Sequence, residues 1–149
     1  MKSFQKASLV AAALFTASLM SAGAVLAGDV TINLTGVQAR GGDLLVGLQT
    51  STQFLKHEGS YGEIIAAPPA GTQVITLHGV TPGDYSVSAL HDTDGNRDMT
   101  LVNGRPGEGW GLLHGETLRA APTFDQVKFT VPDTGDVTLD VAMHYPPAR

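Results

Sequence analysis

The chain has 149 residues and no cysteine, and its 14 acidic side chains outnumber its nine Lys and Arg, for a formal net charge of −5 at pH 7. An acidic chain offers no basic face for nucleic-acid phosphates or anionic lipid, so we expect no nucleic-acid partner. Without cysteine there is no disulfide, and stability has to come from a buried core, to which a bound ion could add.

The first 27 residues have the three-part pattern of a secretory signal peptide. Lys2 and Lys6 precede an uncharged stretch over 7–20 that is rich in Ala and Leu, and Val25 and Ala27 supply small residues at the two positions that a signal peptidase reads. An uncleaved membrane anchor is the alternative, because the apolar run approaches the ~20 residues of a spanning helix. The pattern favours a signal peptide cleaved after residue 27.

Cleavage leaves residues 28–149 as a single domain of suitable size for one core. Fourteen acidic and seven basic residues give this domain a formal charge of −7. We predict that it is periplasmic or secreted, and that it does not insert into the membrane after cleavage.

Two strands are predicted at the start of this domain. Val30, Ile32 and Leu34 alternate with polar residues, the period-two pattern of a strand with one buried face. A Gly-Gly-Asp turn at 41–43 precedes a second strand over 44–49. We expect these two strands to form a hairpin.

The middle of the chain predicts three more strands. They cover 61–67, 73–77 and 85–91, and proline and glycine in the intervening segments favour turns. Between the second and third predicted strands of the domain, residues 50–59 are ambiguous, because Ser51 could cap one or two helical turns.

A long glycine-rich segment over 92–123 follows. Loops of such length in a compact domain are usually functional or disordered, and Trp110 supplies an apolar anchor that predicts packing. Strands are predicted over 124–131 and 137–145, the last one ended by two prolines. About seven strands without a long helical pattern predict an all-β fold, an antiparallel β-sandwich.

The segment that begins at His91 is the strongest candidate for a functional site. Oxygen-bearing side chains occupy every second position, the pattern of ligands for a hard cation such as Ca²⁺. The predicted metal ligands are Asp92, Asp94, Asn96 and Asp98. The start matches an EF-hand loop, but Arg97 stands where that loop has glycine and Asn103 where it has glutamate. The alternative is a turn whose side chains cap their own backbone.

Three blocks of the sequence resemble the domain of unknown function 2141 family of exported bacterial proteins. Its members show a P-G-x-Y strand, an H-D-x-N-G-N loop and a G-x-P-x-E-G-[YW]-G segment, which correspond here to 82–85, 91–96 and 104–111. This chain departs from the family pattern in having Asp94 instead of Asn and Arg97 instead of Gly, and it is one residue shorter before the third block. The resemblance implies a prealbumin-like or immunoglobulin-like sandwich and no established activity.

We predict a non-catalytic binding or structural module of unknown ligand or protein partner, which uses the loop over 91–111. The predicted ligand-contacting residues are His91, Glu108 and Trp110, and no catalytic residue is assigned. The alternative is a small periplasmic hydrolase in which His91 acts with nearby carboxylates.

Overall fold

The computed structural model describes residues 26–147, so all of the predicted signal segment except Leu26 and Ala27 lies outside the described residues. The strands in chain order are β1 (Gly28–Val37), β2 (Asp43–Gln49), β3 (Tyr61–Ala66), β4 (Gly71–Val80), β5 (Gly83–Asp92), β6 (Leu101–Val102), β7 (Arg105–Pro106), β8 (Gly109–Leu112), β9 (Lys128–Val131) and β10 (Val137–Ala142). A 3₁₀ turn at Gly115–Thr117 and one α-helical turn, α1 (Phe124–Val127), are the helical elements in this part of the chain.

The strands form two facing sheets and a small hairpin. One sheet has the order β10-β1-β4. The other has the order β3-β2-β5, and the far edge of β5 pairs with β9 along its first half and with β8 along its second half. Within the described part of the chain, strands β6 and β7 pair only with each other. The all-β prediction is confirmed.

Alternating apolar residues of both sheets build the core. In β1, Val30, Ile32 and Leu34 are fully buried, while the residues between them are partly exposed. Leu44 and Leu48 of β2 are also fully buried and belong to the same core cluster. Burial of apolar surface is the dominant favourable term in folding, so the period-two pattern holds the sheets face to face.

The predicted hairpin between the first two strands is wrong. Strand β1 pairs with β4 on one edge and with β10 on the other, which leaves it no edge for β2. Strand β2 lies in the opposite sheet between β3 and β5. The short connection at 38–42 therefore crosses between the sheets. One pair also departs from the antiparallel pattern, because β10 runs parallel to β1.

Residues 51–57, which the sequence left ambiguous, form turns and bends. Two other segments differ from their predictions. The strand predicted over 124–131 begins as α1, whose capping box is made by Thr123 and Gln126, and only its second half is a strand. The long segment over 92–123 contains β6, β7 and β8. At the start of α1, the Gln126 side-chain oxygen accepts the N–H of Thr123 at 2.9 Å, which satisfies a backbone donor locally.

The two sheets join on one side of the sandwich. Backbone N–H groups of Trp110 and His144 each donate to the other residue's carbonyl oxygen, at 2.9 and 2.7 Å, which links the chain after β10 to β8. On the opposite side, β3 and β4 are the outer strands of their sheets. No helix in the described part of the chain has the length and hydropathy needed to cross a bilayer.

Candidate functional site: the loop over 91–111

The loop over 91–111 leaves the sheet and returns to it at neighbouring positions. His91, near the end of β5, lies opposite Gly109 at the start of β8. Between them the chain makes the acidic turn over 92–98 and then the β6–β7 hairpin. That hairpin turns through Asn103 and Gly104, which have φ of 53° and 75°, the left-handed values that tight two-residue turns use.

Asp92 braces the first half of the acidic turn. It is 1% exposed, its Oδ1 accepts the N–H of Gly95 at 2.8 Å, and its Oδ2 accepts the N–H of Arg97 at 2.9 Å. Burial raises the pKa of this carboxyl group, but hydrogen bonds, chiefly those from Arg97 and Gly95, outweigh it and leave the pKa below its ordinary value. Asp92 is therefore a charged, buried brace of the turn.

Arg97 adopts the conformation that the glycine of an EF-hand loop would adopt. Its φ is 57°, in the left-handed region that a side chain normally disfavours. Two hydrogen bonds to the Asp92 carboxylate hold the turn in this conformation. One is donated by the N–H of Arg97 itself and the other by the N–H of Gly95. Arginine in place of glycine at this position therefore keeps the left-handed backbone conformation of the turn.

Asp94 braces the second half of the turn. Its Oδ1 accepts the N–H of Asn96 at 3.1 Å, and its Oδ2 accepts the Asn96 side-chain amide at 3.2 Å and the Thr100 hydroxyl at 2.8 Å. Asn96 in turn accepts the N–H of Asp98 at 2.8 Å. Asp98 caps Met99 and lies 3.9 Å from His57.

Glu108 reaches back from the end of the loop and connects its two halves. It is 5% exposed, and its Oε1 accepts the N–H of Thr93 at 2.8 Å and the Thr93 hydroxyl at 3.2 Å. Its Oε2 accepts the N–H of Thr100 at 3.3 Å. This side chain was predicted to contact a ligand, and the structure places it inside the loop, bonded to the loop's own backbone.

Three carboxylates converge in the loop. Oxygens of Asp92, Asp94 and Glu108 all lie within 4.8 Å of one another. Asp98, also predicted as a metal ligand, is not part of this cluster. Glu108 was not expected among the metal ligands, since 16 residues separate it from Asp92 and only the return of the chain through β8 brings it back. The cluster has the oxygen chemistry of a hard-cation site, and its oxygens also serve backbone donors.

His91 is fully buried and both of its ring nitrogens have partners. Nε2 lies 2.7 Å from the carbonyl oxygen of Gly41, which can only accept, so Nε2 carries the proton of the neutral ring. Nδ1 then accepts from the hydroxyl group of Tyr145 at 2.8 Å. His91 thereby links the β1–β2 connection to the end of the chain.

Tyr145 is the residue of the site that the sequence did not single out. Burial raises the pKa of its hydroxyl group, which stays a donor at neutral pH, and the oxygen accepts the N–H of Gln38 at 3.1 Å. The Arg40 guanidinium lies over its ring, 4.7 Å from the centroid. A Cβ at Gly109 would lie 2.3 Å from this ring, so the tyrosine covers the end of the loop as well as His91. No sequence pattern marked this contact.

Trp110 packs at the joined side of the sandwich. Its ring stacks on that of His144, with centroids 4.5 Å apart and 28° between the planes. Gly115 lies against both rings, since a Cβ there would be 3.1 Å from Trp110 Cζ3 and 3.3 Å from His144 Nε2. The tryptophan is partly buried, and its contacts are internal.

Two grooves lie away from the loop. One, of about 380 Å³, is bordered by Thr117–Ala121 and Gln126, and the other, of about 450 Å³, lies between β3 and β4.

Comparison with known proteins gives one match. The family model described as "Uncharacterized protein conserved in bacteria (DUF2141)" matches residues 32–140, which include nearly all of the sandwich and the whole loop. The resemblance predicted from the three sequence blocks is confirmed. No curated protein and no solved structure matches.

Proposed function

This chain belongs to the DUF2141 family of uncharacterized proteins conserved in bacteria, and on the geometry of its loop we propose that it is an exported, non-catalytic module that binds a second protein. The contact surface is the outer side of the β6–β7 hairpin. The sandwich is the scaffold that holds this hairpin in one position. Binding residues commonly lie on loops that a rigid scaffold positions.

The internal use of the polar side chains carries this proposal. The carboxylates of Asp92, Asp94 and Glu108 accept hydrogen bonds from their own loop, and they therefore stabilise its conformation. Outside this brace, the hairpin exposes Leu101 at 62%. Arg105 is exposed on the paired strand. Apolar groups next to arginine are typical of protein interfaces.

Export is supported by the position of the predicted cleavage site, which directly precedes the first strand of the fold. The predicted cleavage follows Ala27, and β1 begins at the next residue, Gly28. The domain after the predicted cleavage site is cysteine-free, and its core requires no disulfide.

The hydrolase alternative receives no support from His91. A general base needs a nitrogen that can reach the substrate, and this ring is 0% exposed with both nitrogens bonded. A screen of ester, phosphate and glycoside substrates distinguishes the two functions. Turnover that is lost in His91→Phe but kept in His57→Phe, a change at an exposed histidine, would favour the hydrolase.

Calcium binding stays a prediction. The closeness of three carboxylates favours it, since like charges repel and a cation would relieve that repulsion. The contacts of His91, Glu108 and Trp110 with a ligand also stay predictions.

Site-specific photo-crosslinking in cells tests the binding function. A photoreactive residue replaces Leu101 on the hairpin or, as control, Val74 on β4, which is exposed to a similar extent at 66%. We expect a discrete protein adduct from position 101 alone, and we expect its loss when Arg105→Glu is added. Equal adducts from both positions, or none from 101, would contradict the proposal.

A further inference from the structure

Gly28 occupies a place in the fold that only glycine fits. It is buried at the start of β1, and a Cβ added to it would lie 2.3 Å from the carbonyl oxygen of Gly135, in the turn before β10. Its φ is not in the left-handed region, so the reason is space rather than backbone conformation. The residue that would follow signal cleavage is thus held tightly against the last turn of the domain.

A carboxylate lies beside this position. Oδ1 of Asp136 accepts the N–H of Asp29 at 2.8 Å and lies 3.7 Å from the Cβ position of Gly28. Standard covalent dimensions then place the Gly28 nitrogen within about 6 Å of the Asp136 carboxylate. Asp136 has no ion pair with a side chain among residues 26–147.

The next residue, Asp29, also carries a carboxylate, and this one is bonded to β4. Its Oδ2 lies 2.7 Å from Nδ1 of His78, and its Oδ1 accepts the N–H of Gly79 at 3.2 Å. Those bonds, the one from His78 first, hold the pKa of Asp29 below its ordinary value, so it is charged at neutral pH. Both oxygens of Asp29 are thus bonded to β4, and Asp136 is the carboxylate that the structure places near a positive group at residue 28.

Cleavage supplies such a group. In the precursor, the nitrogen of Gly28 belongs to a neutral amide bond with Ala27. Hydrolysis puts the hydroxyl group of water on the Ala27 carbonyl carbon and a proton on the nitrogen, and the amine takes up a second proton from solvent. The product is an α-ammonium group with three donors, charged at neutral pH.

We propose that the Asp136 carboxylate and the turn around Gly135 form a binding site for the α-ammonium group of Gly28, so that removal of the signal segment stabilises the mature fold. This inference rests on the proposed export and on cleavage after Ala27. The amino terminus then acts as a structural cation that the precursor lacks.

Two proteins that differ only in their start test this site. One begins at Gly28, and the other keeps Leu26 and Ala27, which are both exposed in the structure and need no rearrangement. We expect the protein that begins at Gly28 to have a Tm about 2–4 °C higher, the size of a partly exposed ion pair in a domain of this length. The difference should shrink in 0.5 M NaCl, because salt screens exposed charges.

The substitution Asp136→Asn removes the charge and keeps an oxygen that can accept the N–H of Asp29. We expect it to abolish the difference between the two starts, whereas Asp133→Asn, a control in the same turn, should preserve it. Equal Tm values for the two starts, or a difference that survives Asp136→Asn, would overturn the ammonium site. The intact mass of the protein recovered from cells tests export separately, since a precursor or a cut elsewhere would refute cleavage after residue 27 whatever the Tm values are.

Discussion

The hydroxyl group of Tyr145 donates a hydrogen bond to Nδ1 of His91, across 54 residues of sequence and with 2.8 Å between the atoms. This bond joins the end of the chain to the residue where the acidic loop begins. Because His91 also donates to Gly41, one imidazole ring holds together three segments that are far apart in sequence. The loop is thus oriented by the sandwich beneath it.

Removal of the Tyr145 hydroxyl group should destabilise the protein. Tyr145→Phe leaves Nδ1 of His91 buried without a donor, at a cost of about 1–3 kcal/mol in the free energy of unfolding. Urea denaturation measures this loss. The control is Tyr61→Phe, which removes two exposed hydrogen bonds with Thr81 and should cost less. Equal losses in the two variants would show that the buried bond to His91 stabilises the protein no more than the exposed bonds of Tyr61 do.

Two adjacent glycines should respond differently to alanine. Gly41 and Gly42 have φ of 72° and 66°, so each alanine strains the backbone, by about 1 kcal/mol. A Cβ at Gly42 would also lie 2.1 Å from the carbonyl oxygen of Asp92, whereas none of the atoms in residues 26–147 would lie within 4 Å of one at Gly41. We expect Gly42→Ala to lose a further 1–3 kcal/mol or so from this overlap.

Thermal and urea unfolding of both glycine variants measure the contrast. Backbone strain is present in both variants, so it cancels when their losses in the free energy of unfolding are compared. The remaining difference measures how closely the β1–β2 connection packs against Asp92, at the start of the acidic loop. Losses that agree within experimental error would contradict this packing.

Glu108→Gln should loosen the loop. An amide has one acceptor oxygen, so it cannot serve both Thr93 and Thr100, and one partly buried N–H loses its partner at a cost of about 1 kcal/mol. Amide hydrogen exchange at these two threonines should become faster. Glu63→Gln, on the exposed side of β3, is the matched control. Unchanged exchange at both threonines would show that Glu108 does not brace the loop.

Acid should weaken the fold partly through Asp92. Hydrogen bonds keep its pKa in the folded protein below the ordinary value, so the folded state favours the charged form. Its contribution is therefore complete above the unfolded-state pKa of about 3.9 and is lost as pH falls through the folded-state pKa. In Asp92→Asn, the free energy of unfolding should fall less between pH 6 and pH 3 than in the unsubstituted protein.

The same comparison needs a control carboxylate. Asp133→Asn, at an exposed turn, should retain the full fall in stability with acid. Asp29 and Asp84, whose pKa values are lowered by His78 and Thr130 respectively, remain in both variants and keep part of the dependence. A fall of equal size in Asp92→Asn would mean that its hydrogen bonds form no better in the folded state than in the unfolded one.

Calcium is expected to raise the stability of chelator-treated protein. For a Kd of 10⁻⁴–10⁻³ M, as in weak extracellular sites, 10 mM Ca²⁺ would add about 1.4–2.7 kcal/mol. Asp94→Asn should remove this gain, and Asp140→Asn, outside the loop, should not. The absence of both a Tm shift and heat in calorimetric titration would rule out calcium at this cluster and leave the carboxylates as braces alone.

Local patterns in the sequence were enough to predict much of the fold. Alternation at Val30, Ile32 and Leu34 identified β1 and its buried face, because side chains on a strand point to opposite sides in turn. Oxygen-bearing residues at Asp92 and Asp94 likewise identified the acidic turn. Such patterns depend on neighbours along the chain, so one sequence suffices to read them.

The partners of each strand were decided only by the tertiary structure. Alternation says which face of β1 is buried, but its edges are bonded to β4 and to β10, which begins about 100 residues later. The return of Glu108 to Asp92 and the bond from Tyr145 to His91 have the same origin. Backbone edges are chemically alike in every strand, so the choice among them follows from how the two apolar faces pack, and this is a property of the whole chain.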